Sequence, residues 1–225
     1  MLILFSCGKS EEELYDEETQ QQEILTKEGI DSVIESFETV TFKELDGDYL
    51  AYSDPKKQFT GQLSNKTYRI VRGRDIFKFV VGKYRVKNFV PFDRYCRANN
   101  RDLDANKEQY WLVDKEMLYM LLEFILKLDE LGYDKYGFSV RESHRHPLCN
   151  KLRGGASKSQ HINGKAVDLV IKDINRDGDA NQVDKSICLD ILEPMIGNRG
   201  GIGRYPRTMT IHIDSRGYKA RWDSY

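Results

Sequence analysis

Ser159-Gln-His161-Ile-Asn-Gly164-Lys-Ala-Val-Asp168-Leu-Val-Ile171, answered further along by Thr210-Ile-His212-Ile-Asp214, decides how this chain is read. Ala166 to Ile171 is a short apolar, β-branched run that predicts a buried strand, with Asp168 in its middle. A lone carboxylate there costs several kcal/mol unless it meets a cation or hydrogen-bond donors. His161 precedes Asp168 by an odd spacing, which would put the two on opposite faces of a regular strand, so the chain must bend between them. Gly164 allows that bend. In Thr210 to Asp214, Ile211 and Ile213 face one side, while Thr210, His212 and Asp214 face the other. His212 and Asp214 therefore look at the same place.

Two imidazoles and a carboxylate leave the fourth position of a tetrahedral zinc open to water, the geometry that separates catalytic from structural zinc. His161, Asp168 and His212 are assigned as the zinc ligands. Each of them alone reads more economically as a polar strand end or a backbone cap. Their combination argues for the metal.

The chain resembles the zinc D-alanyl-D-alanine carboxypeptidases and their relatives, the M15 peptidases. The resemblance rests on S-x-H-x-x-G-x-A-x-D-L at Ser159 to Leu169, G-G-I-G-x-Y-P at Gly200 to Pro206, H-x-D-x-R-G at His212 to Gly217, and the closing Arg221-Trp222. Upstream, Glu142-Ser-His-Arg145-His-Pro147, Asn150 and Gly154-Gly155-Ala156 look like the family's S-x-x-R-x-P…N…G-G-A segment. The match spans about residues 88 to 225 and keeps the family's order. It implies an α+β fold of the D-alanyl-D-alanine carboxypeptidase or hedgehog type. It also implies a zinc peptidase that polarises the scissile carbonyl and uses an arginine near the metal, here Arg145, to hold substrate oxygens; the guanidinium fork suits a carbonyl or carboxylate. Ser159 joins Arg145 as a substrate-binding candidate. Several relatives carry the general base three positions before the last histidine ligand, where this chain has Met209. Asp214 is then the candidate base, or else it orients the His212 ring. Glu142 is a third candidate.

Asp173-Ile-Asn175-Arg-Asp177-Gly178-Asp179-Ala-Asn181-Gln-Val-Asp184 spaces its oxygen side chains as in a calcium loop of EF-hand or dockerin type, with glycine at the sharp turn. Asp173, Asn175, Asp177, Asp179 and Asp184 are the candidate Ca2+ ligands, and the competing reading is a solvated Asp/Asn-rich turn.

The 225 residues can bury one full core and a small extra subdomain. Hydrophobic content of 40% with 32% charged residues is that of a globular chain, and no run approaches the length of a membrane span. The net charge of −1 hides an asymmetry: residues 1–38 hold eleven acidic and two basic side chains, which leaves 25 acidic against 33 basic in the rest. A mildly basic catalytic region suits an anionic wall polymer, and no nucleic-acid partner is indicated.

Residues 1–38 read as an acidic, glutamine-rich tether with some helix, the rival being an ordered amphipathic helix packed on the domain. Leu4-Phe-Ser-Cys7 resembles a bacterial lipobox, which makes Cys7 a candidate lipid anchor and the cell envelope (periplasm or outer-membrane surface) the expected location. The apolar part before it is shorter than a normal signal peptide. Residues 39–87 contain strand-like runs at Tyr49 to Tyr52, Tyr68 to Val71, Ile76 to Val81 and Tyr84 to Phe89, and predict a small β region or an extension of the catalytic sheet. In residues 88–225, the peptidase-like part, Asp114 caps a helix whose apolar face runs from Met117 to Leu131, with Gly132 ending it. A second helix is expected from about Val183 to Ile196. Helices backing a largely antiparallel sheet make an α+β domain, expected to be a monomer.

Cys188 reads as core packing, and Cys149 as a partner to be tested against Cys96. His144 and His146 read as cleft or surface residues. The leading function is a zinc metallopeptidase acting on peptidoglycan stem peptides, either a D,D-carboxypeptidase or an endopeptidase. The alternative is a non-catalytic wall-binding module that keeps its metals for folding, against which the intact His161, Asp168, His212, Arg145 and Asp214 argue.

Overall fold

The computed structural model describes residues 9–91 and 108–223. Its strands, in chain order, are β1 (Thr39–Thr41), β2 (Thr67–Val71), β3 (Phe79–Val81), β4 (Tyr84–Arg85), β5 (Gln109–Trp111), β6 (Phe138–Glu142), β7 (Ala166–Ile171), β8 (Gly201–Arg204), β9 (Thr210–Asp214) and β10 (Ala220–Asp223). The central sheet has the order β10-β8-β9-β7-β6, antiparallel except for the parallel pair of β10 and β8. A three-stranded antiparallel sheet, β1-β2-β5, and the β3-β4 hairpin stand beside it. This is the α+β class expected from the pattern.

Asp114 caps the Lys115–Glu130 helix by accepting from the Met117 amide, and the face from Met117 to Leu128 is buried, while Leu131 lies exposed beyond it. The Gln182–Ile196 helix packs with it through Cys188, Leu192 and Ile196. Together they cover Val167, Leu169, Ile171, Ile211 and Ile213, one face of the central sheet. Alternation along β7 and β9 therefore delivers Asp168 and His212 to the other face.

Three expectations are corrected. The Tyr49 to Tyr52 run is helical, within Gly47–Ser53, because Asp46 accepts from the Tyr49 amide and Tyr49 and Leu50 pack into a satellite core with Phe42, Leu63, Tyr68 and Tyr110. Ile76 and Phe77 belong to a 3-10 turn, Gly73–Phe77, and the run after Tyr84 turns at Val86–Asn88, so β3 and β4 are shorter than the apolar pattern suggests. Ile30 and Ile34 are fully buried in the core shared with the Lys115–Glu130 helix, so the Lys27–Glu35 helix is the packed amphipathic helix and not part of a tether. Cys7 and Cys96 lie outside the described residues. Cys149 is disulfide-bonded, and Cys188 is free, buried, and has its thiol pushed up to about 12 by burial.

Candidate metal centre

The bend expected at Gly164 is a 3-10 turn, Gln160–Asn163, ended by Gly164 in the left-handed region at φ 66°. A Cβ at Gly164 would overlap the Leu112 carbonyl, so glycine is required both for the turn and for the approach of the neighbouring chain. The turn swings His161 over β7. There, His161 Nε2 lies 3.2 Å from Asp168 Oδ1 and 3.1 Å from His212 Nδ1, and His212 Nδ1 lies 2.8 Å from Asp168 Oδ1. Asp168 and His212 face each other in the register of β7 and β9. All three are buried, and among the described residues they are the one convergent group of His, Cys, Asp or Glu ligand atoms.

The fit to zinc can be tested on these distances. Donors at about 2.0–2.1 Å from a tetrahedral ion sit about 3.3 Å apart, close to the three separations observed. The remaining ring nitrogens are committed elsewhere: His161 Nδ1 donates to the Ser143 carbonyl at 2.6 Å, and His212 Nε2 to Asp214 Oδ2 at 3.1 Å. These partners fix the tautomers that leave His161 Nε2 and His212 Nδ1 free to bind a cation. Burial holds the His161 imidazole below its ordinary range, so it is neutral and able to ligate. Burial alone would raise Asp168, but His161 and His212 outweigh it and hold the carboxyl well below the usual range.

The same geometry bears on the two roles expected of Asp214. It is completely buried and accepts from the Gly201 amide, the Arg216 amide, Arg216 Nε and Nη2, and His212. With both oxygens engaged and Oδ2 accepting from His212 Nε2, Asp214 stands where the second of those roles, orienting the ring, requires it. Met209, at the position where relatives place an acid, packs on the core, because an odd offset from His212 points it to the opposite face. Glycines make the room: a Cβ on Gly201 would overlap the Asp214 carboxylate, and one on Gly203 would stand 2.7 Å from the Trp222 ring. That ring lies 5.1 Å from His212, and the Arg216 guanidinium stacks on it at 4.9 Å.

Around the three donors opens a cleft of about 1140 Å³, lined among others by Glu142, Arg145, Ser159, Tyr205, Thr210 and Trp222. Arg145 Nη2 donates to Glu142 Oε2 at 2.5 Å and to Asp168 Oδ2 at 2.7 Å. Glu142 pairs with Asp168 in the sheet register. Its Oε1 is buried and faces Arg153 Nε in an ion pair at 2.9 Å. Ser159 heads the 3-10 turn without a side-chain cap bond.

A family model described as peptidase M15 matches residues 96–214, more than half of the chain. The chain belongs to the M15 peptidase family. No curated protein and no solved structure matches it. M15 peptidases depend on zinc, and the His161, Asp168 and His212 set of this M15 peptidase fits that ion.

Two groups of residues depart from expectation. His144 and His146 are buried and structural: His144 Nδ1 accepts from the Leu112 amide, and His146 caps the Pro147–Leu152 helix. In the acidic loop, Asp173 accepts from the Asp177 and Gly178 amides, Asn175 from Asp177, and Asp177 from Asp179, whose own side chain is exposed. Asp184 is fully buried and holds the amides of Ile174, Asn175 and Asn181. These side chains tie down their own loop and leave the calcium reading without support. Sequence reasoning also passed over Ser143, which carries no motif signal of its own. It passed over Lys185 too, whose buried ammonium donates to the Tyr205 and Thr208 carbonyls and fixes one wall of the cleft.

Proposed function

We propose that this M15 peptidase is a zinc-dependent hydrolase of peptidoglycan stem peptides, acting in the cell envelope as a D,D-carboxypeptidase or an endopeptidase. The observation that carries the reading is the three-donor set, with both imidazoles oriented from behind, in the lining of a cleft large enough for several peptide residues. Zinc held there supplies a Lewis acid that activates water near neutral pH and polarises a carbonyl.

The chain's own residues supply the rest. Glu142, which lines the cleft and pairs with Asp168 in the sheet register, receives the proton from the attacking water and hands it to the leaving amine. Arg145 bridges Glu142 and Asp168, holding both carboxylates in place, and presents its remaining donors to substrate oxygens. Trp222 and Tyr205 wall the cleft against bulk water.

Incubating the purified chain with muropeptides and weighing the fragments by mass spectrometry tests the proposal. Free D-alanine identifies a carboxypeptidase and shortened cross-linked dimers an endopeptidase. The absence of any product, with zinc bound, would replace the enzyme by a wall-binding module.

A further inference from the structure

We propose that Arg141 anchors the substrate's terminal carboxylate one residue beyond the scissile bond, so that the cleft works as a carboxypeptidase; this rests on the peptide-cleaving reading of the same site. Val140 pairs with Leu169 and Glu142 with Asp168, so Arg141 is an extra residue in a β-bulge. Bulges re-aim side chains, and this one changes the face of everything after it. Phe138 and Val140 point into the core, and by simple alternation Glu142 would follow them. With Arg141 inserted, Glu142 instead joins Asp168 and His212 in the cleft. Arg141 itself stays on the cleft side and spans β7, its Nη1 3.5 Å from Thr210 Oγ1.

Its charge is uncompensated. Of the other cations lining the cleft, Arg145 is paired with Glu142 and Asp168, Arg153 with Glu142, and Arg216 with Asp214. Among the described residues Arg141 forms no ion pair, is exposed, and makes only the one long contact to Thr210. Lys158, on the loop before Ser159, is the other unpaired cation of the lining, but no sheet holds it.

The distance then selects the ligand. Thr210 and His212 are successive residues on one face of β9, about 7 Å apart. A peptide residue advances the chain by about 3.8 Å, and a charge-assisted hydrogen bond adds about 2.8 Å. A carboxylate one residue past a carbonyl bound beside His212 thus reaches a guanidinium resting on Thr210. A longer chain would place a neutral amide there and leave the fork without its anion.

The test is calorimetric titration of the purified full-length chain with an acylated peptide ending in a D-alanyl-D-alanine ketomethylene isostere, as the free acid and as the C-terminal amide. We expect the acid to bind at least about tenfold tighter. Arg141→Ala should bring the ratio to about one, Arg141→Lys should retain part of it because charge persists without the fork, and Lys158→Ala should leave it unchanged. Thermal melts confirm that the variants fold. Equal binding of acid and amide, a ratio that survives Arg141→Ala, or one that disappears in Lys158→Ala overturns the proposal. Intact discrimination without hydrolysis of the parent peptide would instead refute the peptidase reading and leave the carboxylate anchor standing.

Discussion

Changing Asp214 to asparagine keeps the shape of the residue while removing the charge behind His212. In the native site Oδ1 takes the Gly201 amide, the Arg216 amide and Arg216 Nε, and Oδ2 takes His212 Nε2 and Arg216 Nη2. An asparagine can satisfy the first set with its carbonyl, but its amide then meets two donors at the second. His212 must rotate or lose its orienting bond, and loss of such a partner costs about 10–100-fold in metal affinity, or about 1.4–2.7 kcal/mol. Breaking a buried ion pair costs about 3–5 kcal/mol. Arg216 keeps 18% of its side chain exposed, so a folding penalty nearer about 2 kcal/mol is expected after solvent screening. Zinc affinity by competition with a chromophoric chelator, together with urea unfolding, measures both quantities. A variant that binds zinc within about twofold of the parent but turns over at least about a hundredfold more slowly would refute the reasoning and make Asp214 the proton carrier.

Glu142→Gln should do the reverse, leaving zinc affinity nearly unchanged while kcat falls about 10²–10⁴-fold; retained kcat would remove Glu142 from the mechanism. Gly201→Ala drives a methyl into the Asp214 carboxylate and should cost about 1–3 kcal/mol and weaken zinc binding; a variant with a native melting temperature would show that the close packing is not needed. Acid should destabilise the fold through His144, which burial depresses to about 3. A histidine depressed from about 6.5 in the unfolded chain contributes stability that is complete above pH 6.5 and is lost as the pH falls towards 3, by up to about 1.4 kcal/mol per pH unit. Urea midpoints that stay flat between pH 6.5 and 4 would contradict a neutral, buried His144.

The three candidate donors and the backing of the sheet were legible along the chain. Asp168 is too costly in an apolar strand to lack a partner, parity puts His212 on the face of β9 opposite Ile211 and Ile213, and the Met117 to Leu128 face can be satisfied only by a sheet packed on it. These are local or periodic signals, and a one-dimensional reading captures them. The sequence left the Lys27–Glu35 helix open between tether and packed helix, and it misled on the helical Tyr49 region, because burial by distant segments overrides local composition. The tertiary structure alone decided which groups surround each carboxylate. Asp214 shares a strand face with His212, yet the glycines of β8 let Arg216 and the Gly201 amide take up its oxygens. Glu142 has the wrong parity to reach the metal site, yet the bulge at Arg141 turns it there. Which groups surround a carboxylate depends on what neighbouring strands bring to it, and strand pairing and register are long-range properties that no single segment encodes.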